Sequence, residues 1–175
     1  MVSMIIGKPD SGKSRMAEDM AVSLSGGNRK VYIATMIPYG KEGQERIERH
    51  RKMREGKGFE TIECPRNLQR RFSGNEYADS TAIVECIANL TSNVLFGESL
   101  LKDDLAEYIA SDVSALTKVF KNLVIVSNNY EIKEDYDLET RKYIELIGKV
   151  NDLLKDSCDK VYELSEDGSF VETDK

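Results

Sequence analysis

The sequence predicts an α/β fold in one domain spanning residues 1–175, with a mostly parallel sheet flanked by helices. Three observations carry that expectation. Short apolar runs rich in β-formers alternate along the chain with helix-length stretches. Most of these runs are continuously apolar rather than alternating, the pattern of strands covered on both faces. The first run also leads straight into a glycine loop and then a helix, at Gly7-Lys8-Pro9-Asp10-Ser11-Gly12-Lys13-Ser14.

Strands are expected at residues 2–6, 31–34, 81–84, 123–126 and 160–164. Helices are expected from residue 13 to about 24, then at 87–96, 101–120 and 138–155. The last is the clearest, because Ile144, Ile147, Val150 and Leu154 recur at helical spacing behind Asp137, a residue suited to cap a helix start. Two segments interrupt the alternation, at residues 38–58 and 128–136. Both follow predicted strands directly, and ligands in open parallel sheets bind outside the carboxyl ends of strands. Long connections in such places are often functional. No internal repeat or low-complexity tract is present.

The glycine loop matches G-x-x-x-x-G-K-[ST] at every fixed position and sits between a strand and a helix, which a chance glycine turn has no need to do. Gly7 and Gly12 permit backbone angles that a side chain forbids, so the loop formed with Lys8, Pro9, Asp10 and Ser11 can turn its N–H groups inward as an anion nest. Lys13 is placed to reach β- and γ-phosphates, and the Ser14 hydroxyl to ligate Mg2+. The following helix begins at the phosphates and adds the positive end of its dipole. The expected fold is therefore P-loop NTPase-like, of the RecA-like kind, and the chemistry is that of nucleoside triphosphates.

The formal net charge of −6 argues against nucleic acid as a partner, so any anion site must be built locally. No stretch approaches the roughly 20 apolar residues of a membrane span, and a loop opening at Gly7 leaves no room for a signal peptide, so a cytoplasmic location is expected. Cys64, Cys86 and Cys158 are odd in number and widely spaced, which suits reduced thiols in or near the core.

The single histidine, His50, lies in the segment from Gly40 to Gly58, where only Ile47 and Met53 are large and apolar. A helix there lacks the broad apolar stripe that docks a helix on a core. Arg46 and Arg54 would stand one turn before and after His50, giving a cationic strip around an imidazole. Such a strip can hold a triphosphate while the imidazole, largely neutral near pH 7.5 from its reference pKa of about 6.5, attacks phosphorus. An exposed, solvated helix with one incidental histidine fits the same residues equally well.

Across nearly the whole chain the sequence resembles the bifunctional adenosylcobinamide kinase and adenosylcobinamide-phosphate guanylyltransferase family of cobalamin biosynthesis. The resemblance is carried by the phosphate loop with Arg15, by Tyr32-Ile33-Ala34-Thr35, and by the R-I-x-x-H element from Arg46 to His50. Further carriers are Glu63-Cys64-Pro65 with Leu68, Glu85-Cys86-Ile87 with Asn89-Leu90, Asn93 and Leu95-Phe96. Val124 to Asn128, Gly148-Lys149-Val150-Asn151 and Asp159-Lys160-Val161 complete the set.

The resemblance implies an enzyme that phosphorylates the aminopropanol hydroxyl of adenosylcobinamide and then attaches GMP to the new phosphate. Its co-substrates would be GTP, or ATP for the kinase step, with Mg2+. It implies that His50 carries GMP as a phosphoramidate, that the loop with Lys13 holds nucleotide phosphates, and that Glu63 and Glu85 help hold the guanosine. As a bland alternative, each glutamate merely ends its strand. A ring-like homotrimer is also implied. The chain departs from the family pattern after its fourth expected strand, where an Asn-Glu pair and a glycine-containing stretch ending near Val-Pro are replaced by Ser127-Asn128-Asn129-Tyr130-Glu131-Ile132-Lys133-Glu134-Asp135-Tyr136. Asn129 stands where an acidic residue is usual, and an amide neither serves as a base nor carries charge for a metal.

Overall fold

The computed structural model describes residues 1–97 and 104–173. Seven strands form one sheet: β1 (Val2–Gly7), β2 (Lys30–Ala34), β3 (Phe59–Glu63), β4 (Thr81–Glu85), β5 (Asn122–Asn128), β6 (Lys160–Leu164) and β7 (Phe170–Thr173), in the order β3-β2-β4-β5-β1-β6-β7. All neighbours pair in parallel except β7, which returns antiparallel along β6. The helices are α1 (Lys13–Ser25), α2 (Gly40–Arg54), α3 (Leu68–Arg71), α4 (Ile87–Leu95), α5 (Leu105–Ser114) and α6 (Leu138–Lys155). The expected mostly parallel α/β architecture is thus observed.

Alternation along β1 divides the core in two. Met4 and Ile6 join a cluster with Val84, Leu123 and Ile125 and with apolar residues of α4, α5 and α6, including Leu90, Ile109 and Leu154. Ile5 faces the other way, into a cluster with Tyr32, Ile83, Val124 and Val126 and with Ala17 and Ala21 of α1. Burial on both faces explains why the central strands read as continuous apolar runs.

Four elements differ from expectation. The helix expected at 101–120 is observed as α5 followed by a 3-10 turn at Ala115–Lys118, with residues 101–103 outside the described set. The tighter turn delivers Phe120 into an aromatic cluster, 5.5 Å from Phe72 and 5.1 Å from Tyr77 between ring centroids. Strands β3 and β7 add two edges to the five expected. Segment 38–58 is helical over most of its length, and glycines at φ 76° and 71°, Gly56 and Gly58, turn the chain from α2 into β3.

Candidate active site

Every parallel strand ends on one rim of the sheet, and the phosphate loop rises from the end of β1. Glycine is required at its foot. A Cβ on Gly7 would meet Ser11 Oγ at 3.0 Å, Leu164 Cβ at 3.1 Å and a Phe170 ring carbon at 3.3 Å, so only glycine lets the β6–β7 hairpin close on the loop. Gly12, at φ 91°, occupies the left-handed region just before α1 begins. Lys8 and Pro9 are exposed, Lys8 making a 3.4 Å ion pair with Glu131.

Lys13 is 6% exposed and folds back over the loop, donating to the Lys8 carbonyl and reaching Ser11 Oγ at 3.5 Å. Burial pulls its ammonium below the usual lysine value, opposed by Cys86 and Glu85 nearby. Ser14 Oγ donates to Glu85 Oε1 at 2.5 Å, while Glu85 Oε2 is buried with no partner among the described residues. Burial pushes the Glu85 carboxyl above the usual range, with Ser14 and Lys13 pulling it down. A hydroxyl beside a carboxylate with an unsatisfied oxygen is the hard-donor pair that suits Mg2+, which keeps few protein ligands when phosphates supply the rest. The residues present fit that ion.

Side-chain bonds fix the rim around this pair. Thr35 Oγ1 donates to the Cys86 carbonyl at 2.8 Å, and Asn93 Nδ2 ties together the Thr35 and Pro65 carbonyls at 2.7 and 3.0 Å. On the other side of β4, Asn151 of α6 accepts from Ser127 at 2.6 Å and donates to the Asn128 carbonyl at 3.1 Å.

Helix α2 brings the second half of the site. His50, Arg46, Arg54, Glu63 and Glu85 line one cleft together with Tyr32, and its free volume is about 40 Å³. Burial lowers the His50 pKa from 6.5 to about 4, reinforced by Arg46, Arg54 and Arg49 and opposed by Asp10 of the loop. Its Nδ1 is buried without a hydrogen-bond partner among the described residues. Near neutral pH the imidazole is therefore uncharged and has lone-pair capacity to spare.

Arg54 is held more firmly than its neighbours. It is 7% exposed, its guanidinium lies 3.5 Å from the centroid of the Tyr32 ring, and it donates to the His50 carbonyl at 2.9 Å and to Thr61 Oγ1 at 3.2 Å. Arg46 is half-buried and its charge acts on Lys13 and Glu85 as well as on His50. Glu63 is exposed at the end of β3 and pairs with Arg51 at 3.2 Å. The structure thus brings every site residue expected from the sequence to one rim, with Glu85 nearest the loop and Glu63 at the outer wall.

Tyr32, Thr61 and Asn89 also line or brace this cleft, and the sequence did not mark them as site residues. Their signal was weak: Tyr32 read as a strand residue, and nothing in the chain order linked it to Arg54.

Residues 3–170 match the family described as cobinamide kinase / cobinamide phosphate guanyltransferase. The chain belongs to that family. The bifunctional adenosylcobalamin biosynthesis protein of Salmonella typhimurium is 27% identical, the match covering 93% of this chain and 94% of that protein. Its namesake in Escherichia coli is 26% identical over the same shares. Solved structures show the fold alone. The flagellar accessory protein FlaH of Methanocaldococcus jannaschii has a TM-score of 0.51 at 15% identity, covering 97% of this chain and 74% of that one. A DnaB-like replicative helicase has a TM-score of 0.51 at 9% identity, covering 95% and 48%. Phosphate loop, sheet order and family thus agree on a P-loop nucleotide enzyme of the cobinamide kinase / guanyltransferase family. Among the described residues no helix is long and apolar enough to cross a membrane.

Proposed function

We propose that this family member, a transferase, phosphorylates the hydroxyl of adenosylcobinamide and then moves GMP from GTP onto the new phosphate, with His50 carrying the GMP between substrates. The observation that carries this reading is the His50 ring, its Nδ1 buried without a partner among the described residues, in the arginine-lined cleft that also contains Glu85, the partner of Ser14. A structural histidine has no need of that environment.

In the first half of guanylyl transfer, an imidazole nitrogen bonds to the α-phosphorus of GTP as the bond from that phosphorus to the bridging oxygen breaks, releasing pyrophosphate. In the second, a phosphate oxygen of the acceptor bonds to the same phosphorus, the P–N bond breaks, and His50 returns neutral. In the kinase step the acceptor hydroxyl oxygen bonds to the γ-phosphorus as the bond to the bridging oxygen breaks, releasing the nucleoside diphosphate, and the hydroxyl proton passes to solvent. Gly7, Lys8, Pro9, Asp10, Ser11 and Gly12 cradle the phosphates through the loop backbone. Lys13 and Arg46 oppose the charge that grows on the transferring oxygens. Mg2+, held by Ser14 and Glu85 together with nucleotide phosphates, would supply further neutralisation of that charge. Glu63 and Glu85 offer carboxylate acceptors to the guanosine.

The cleft has a free volume of about 40 Å³, and α2, which buries only Gly43 and Arg54, is the wall least embedded in the core. Its outer face, with Met53 41% exposed, would be covered in a homotrimer, a state that sedimentation measures directly. Three buried, unbridged cysteines suit the reducing cytoplasm.

The test is to supply adenosylcobinamide, GTP, ATP and magnesium and to separate the corrinoid products by chromatography. Both the phosphate and the GDP derivative are expected. Asn129 in place of an acidic residue makes the kinase step the slower one, and equal rates would show the substitution to be harmless. Absence of both products would overturn the reading. The altered segment at 128–136 favours, as a second reading, transfer to a related small-molecule acceptor.

A further inference from the structure

Three aromatic rings run in series from the loop side of the rim towards solvent. Tyr130 follows β5, Tyr143 stands on α6 and Phe96 caps the end of α4. Tyr130 and Tyr143 have ring centroids 6.4 Å apart with planes 41° from parallel, and Tyr143 and Phe96 are 6.3 Å apart at 47°. Their hydroxyls are anchored, Tyr130 accepting from Asn128 Nδ2 and Tyr143 donating to the Ala88 carbonyl, each at 2.9 Å. Phe96 is 61% exposed, an unusual state for a ring that size.

The series is continuous with the reaction centre. Asn128 is the residue of β5 paired with Gly7, and the Asn129 N–H donates to the Gly7 carbonyl at 3.2 Å. Arg46 and Cys86 act electrostatically on both tyrosines, as they do on Lys13. One end of the ledge therefore lies at the phosphate loop and the other at the surface.

We propose that Tyr130, Tyr143 and Phe96 form the seat for the macrocycle of the corrinoid acceptor. This rests on the reading of the chain as a cobinamide transferase. The reacting hydroxyl or phosphate of such an acceptor sits at the end of a flexible arm, so the broad ring must lie on protein beside the loop while the arm enters. Two other surfaces at the loop are less suited, and a wider one of about 690 Å³, lined by Gly12, Met16, Met20 and Leu24, lies along α1 beside Tyr162 and Phe170 of the β6–β7 hairpin. The His50 cleft is small and lined by Arg46, Arg51, Arg54 and Glu63. The pocket behind the loop carries Lys8 with the carboxylates Glu131, Glu163 and Glu166. The aromatic ledge offers the exposed Phe96 ring backed by half-buried Tyr143 and Tyr130 with their hydroxyls already satisfied, which suits the large, weakly charged face of a macrocycle. Tyr130 falls within the segment where this chain departs from the family pattern, whereas Phe96 lies in a stretch that carries the resemblance.

Equilibrium dialysis of adenosylcobinamide phosphate, read by its visible absorbance, tests the seat without any chemistry. Phe96→Ala and Tyr130→Ala are expected to raise the acceptor Kd about tenfold, with Phe96→Tyr close to wild type. In turnover the acceptor KM rises while kcat holds. GTP affinity should stay within about twofold of wild type, and so should formation of the His50 adduct from GTP alone. An unchanged acceptor Kd in both alanine variants, or no corrinoid binding by the wild type, overturns the proposal. So does a loss confined to GTP binding, which would assign the rings to guanine instead. Loss of the His50 adduct in every form, with acceptor binding intact and sensitive to Phe96, would strike the covalent mechanism and leave the seat standing. Thermal melts of the variants separate misfolding from lost contact.

Discussion

The phosphate loop and helix α2 contribute to one rim, yet they are held by opposite means. The loop is a backbone device: two glycines, a strand end and the first turn of α1, a helix that buries Lys13, Ala17, Glu18, Ala21 and Ser25. Helix α2 buries only Gly43 and Arg54, and its position depends on side-chain tethers. Arg54 lies on Tyr32, Arg51 reaches Glu63, and Lys57 just beyond the helix pairs with the fully buried Glu18 at 2.8 Å and with Asp19 at 3.1 Å. The difference separates two duties. Phosphates need a rigid nest, whereas a group that attacks phosphorus and then delivers its cargo needs a mount that can shift.

That contrast yields a graded set of outcomes. The largest is Lys13→Ala, which removes the cation proposed to meet the β- and γ-phosphates and is expected to leave the nest folded. Kinase and guanylyl transfer should both fall at least about 1,000-fold in steady-state assays. A variant that kept either reaction at wild-type rate would show the two regions to be independent.

Next comes Arg54→Ala, which acts on α2 alone. Losing the stacked guanidinium and its two hydrogen bonds should cost about 2 kcal/mol of stability and slow His50 adduct formation roughly tenfold, with kinase activity little changed. Equal losses in both reactions would erase the distinction between nest and mount. A smaller effect is expected of Lys57→Ala. It leaves the Glu18 carboxylate buried without its ammonium, costing about 2 kcal/mol and lowering Tm by roughly 5 °C, while adduct formation drops only a few-fold.

The smallest outcome is a shift of one signal. His50 is the only histidine in the chain, so an untagged sample gives one set of imidazole resonances. Its titration midpoint should lie at about 4 rather than 6.5, and Arg46→Gln should raise it. The folded pKa is depressed, so the folded state binds this proton less readily than the unfolded chain. His50 therefore costs no stability above about pH 6.5, and stability is lost as pH falls from there towards 4. A midpoint at 6.5 would place the ring in solvent and remove the electrostatic part of the account.

The same division governs how much could be read from the chain order. The loop was legible because its chemistry depends on local spacing, and β1, β2, β4 and β5 because burial on both faces leaves nearly unbroken apolar runs, whereas β6 is only partly buried. Strands β3 and β7 were not, since edge strands such as Phe59–Glu63 carry charges on their open face and lose the apolar signal. The site split likewise. His50 with Arg46 and Arg54 stood out as a cationic strip that fits a solvated helix or a nucleophile equally well, and only the resemblance to the family favoured the nucleophile. The stacking of Arg54 on Tyr32, the Lys57–Glu18 pair and the ring series from Tyr130 to Phe96 join residues far apart in sequence, and only the sheet order brings them together.

The central claim is that the His50 half of the site carries GMP covalently. Incubation with magnesium and GTP labelled at the α-phosphate, with no corrinoid present, tests it most directly by peptide mass spectrometry. The account predicts one GMP on His50, stable to alkali and lost in mild acid, with pyrophosphate released and no adduct in His50→Asn. An unlabelled wild type, or label that persists in His50→Asn, would contradict it.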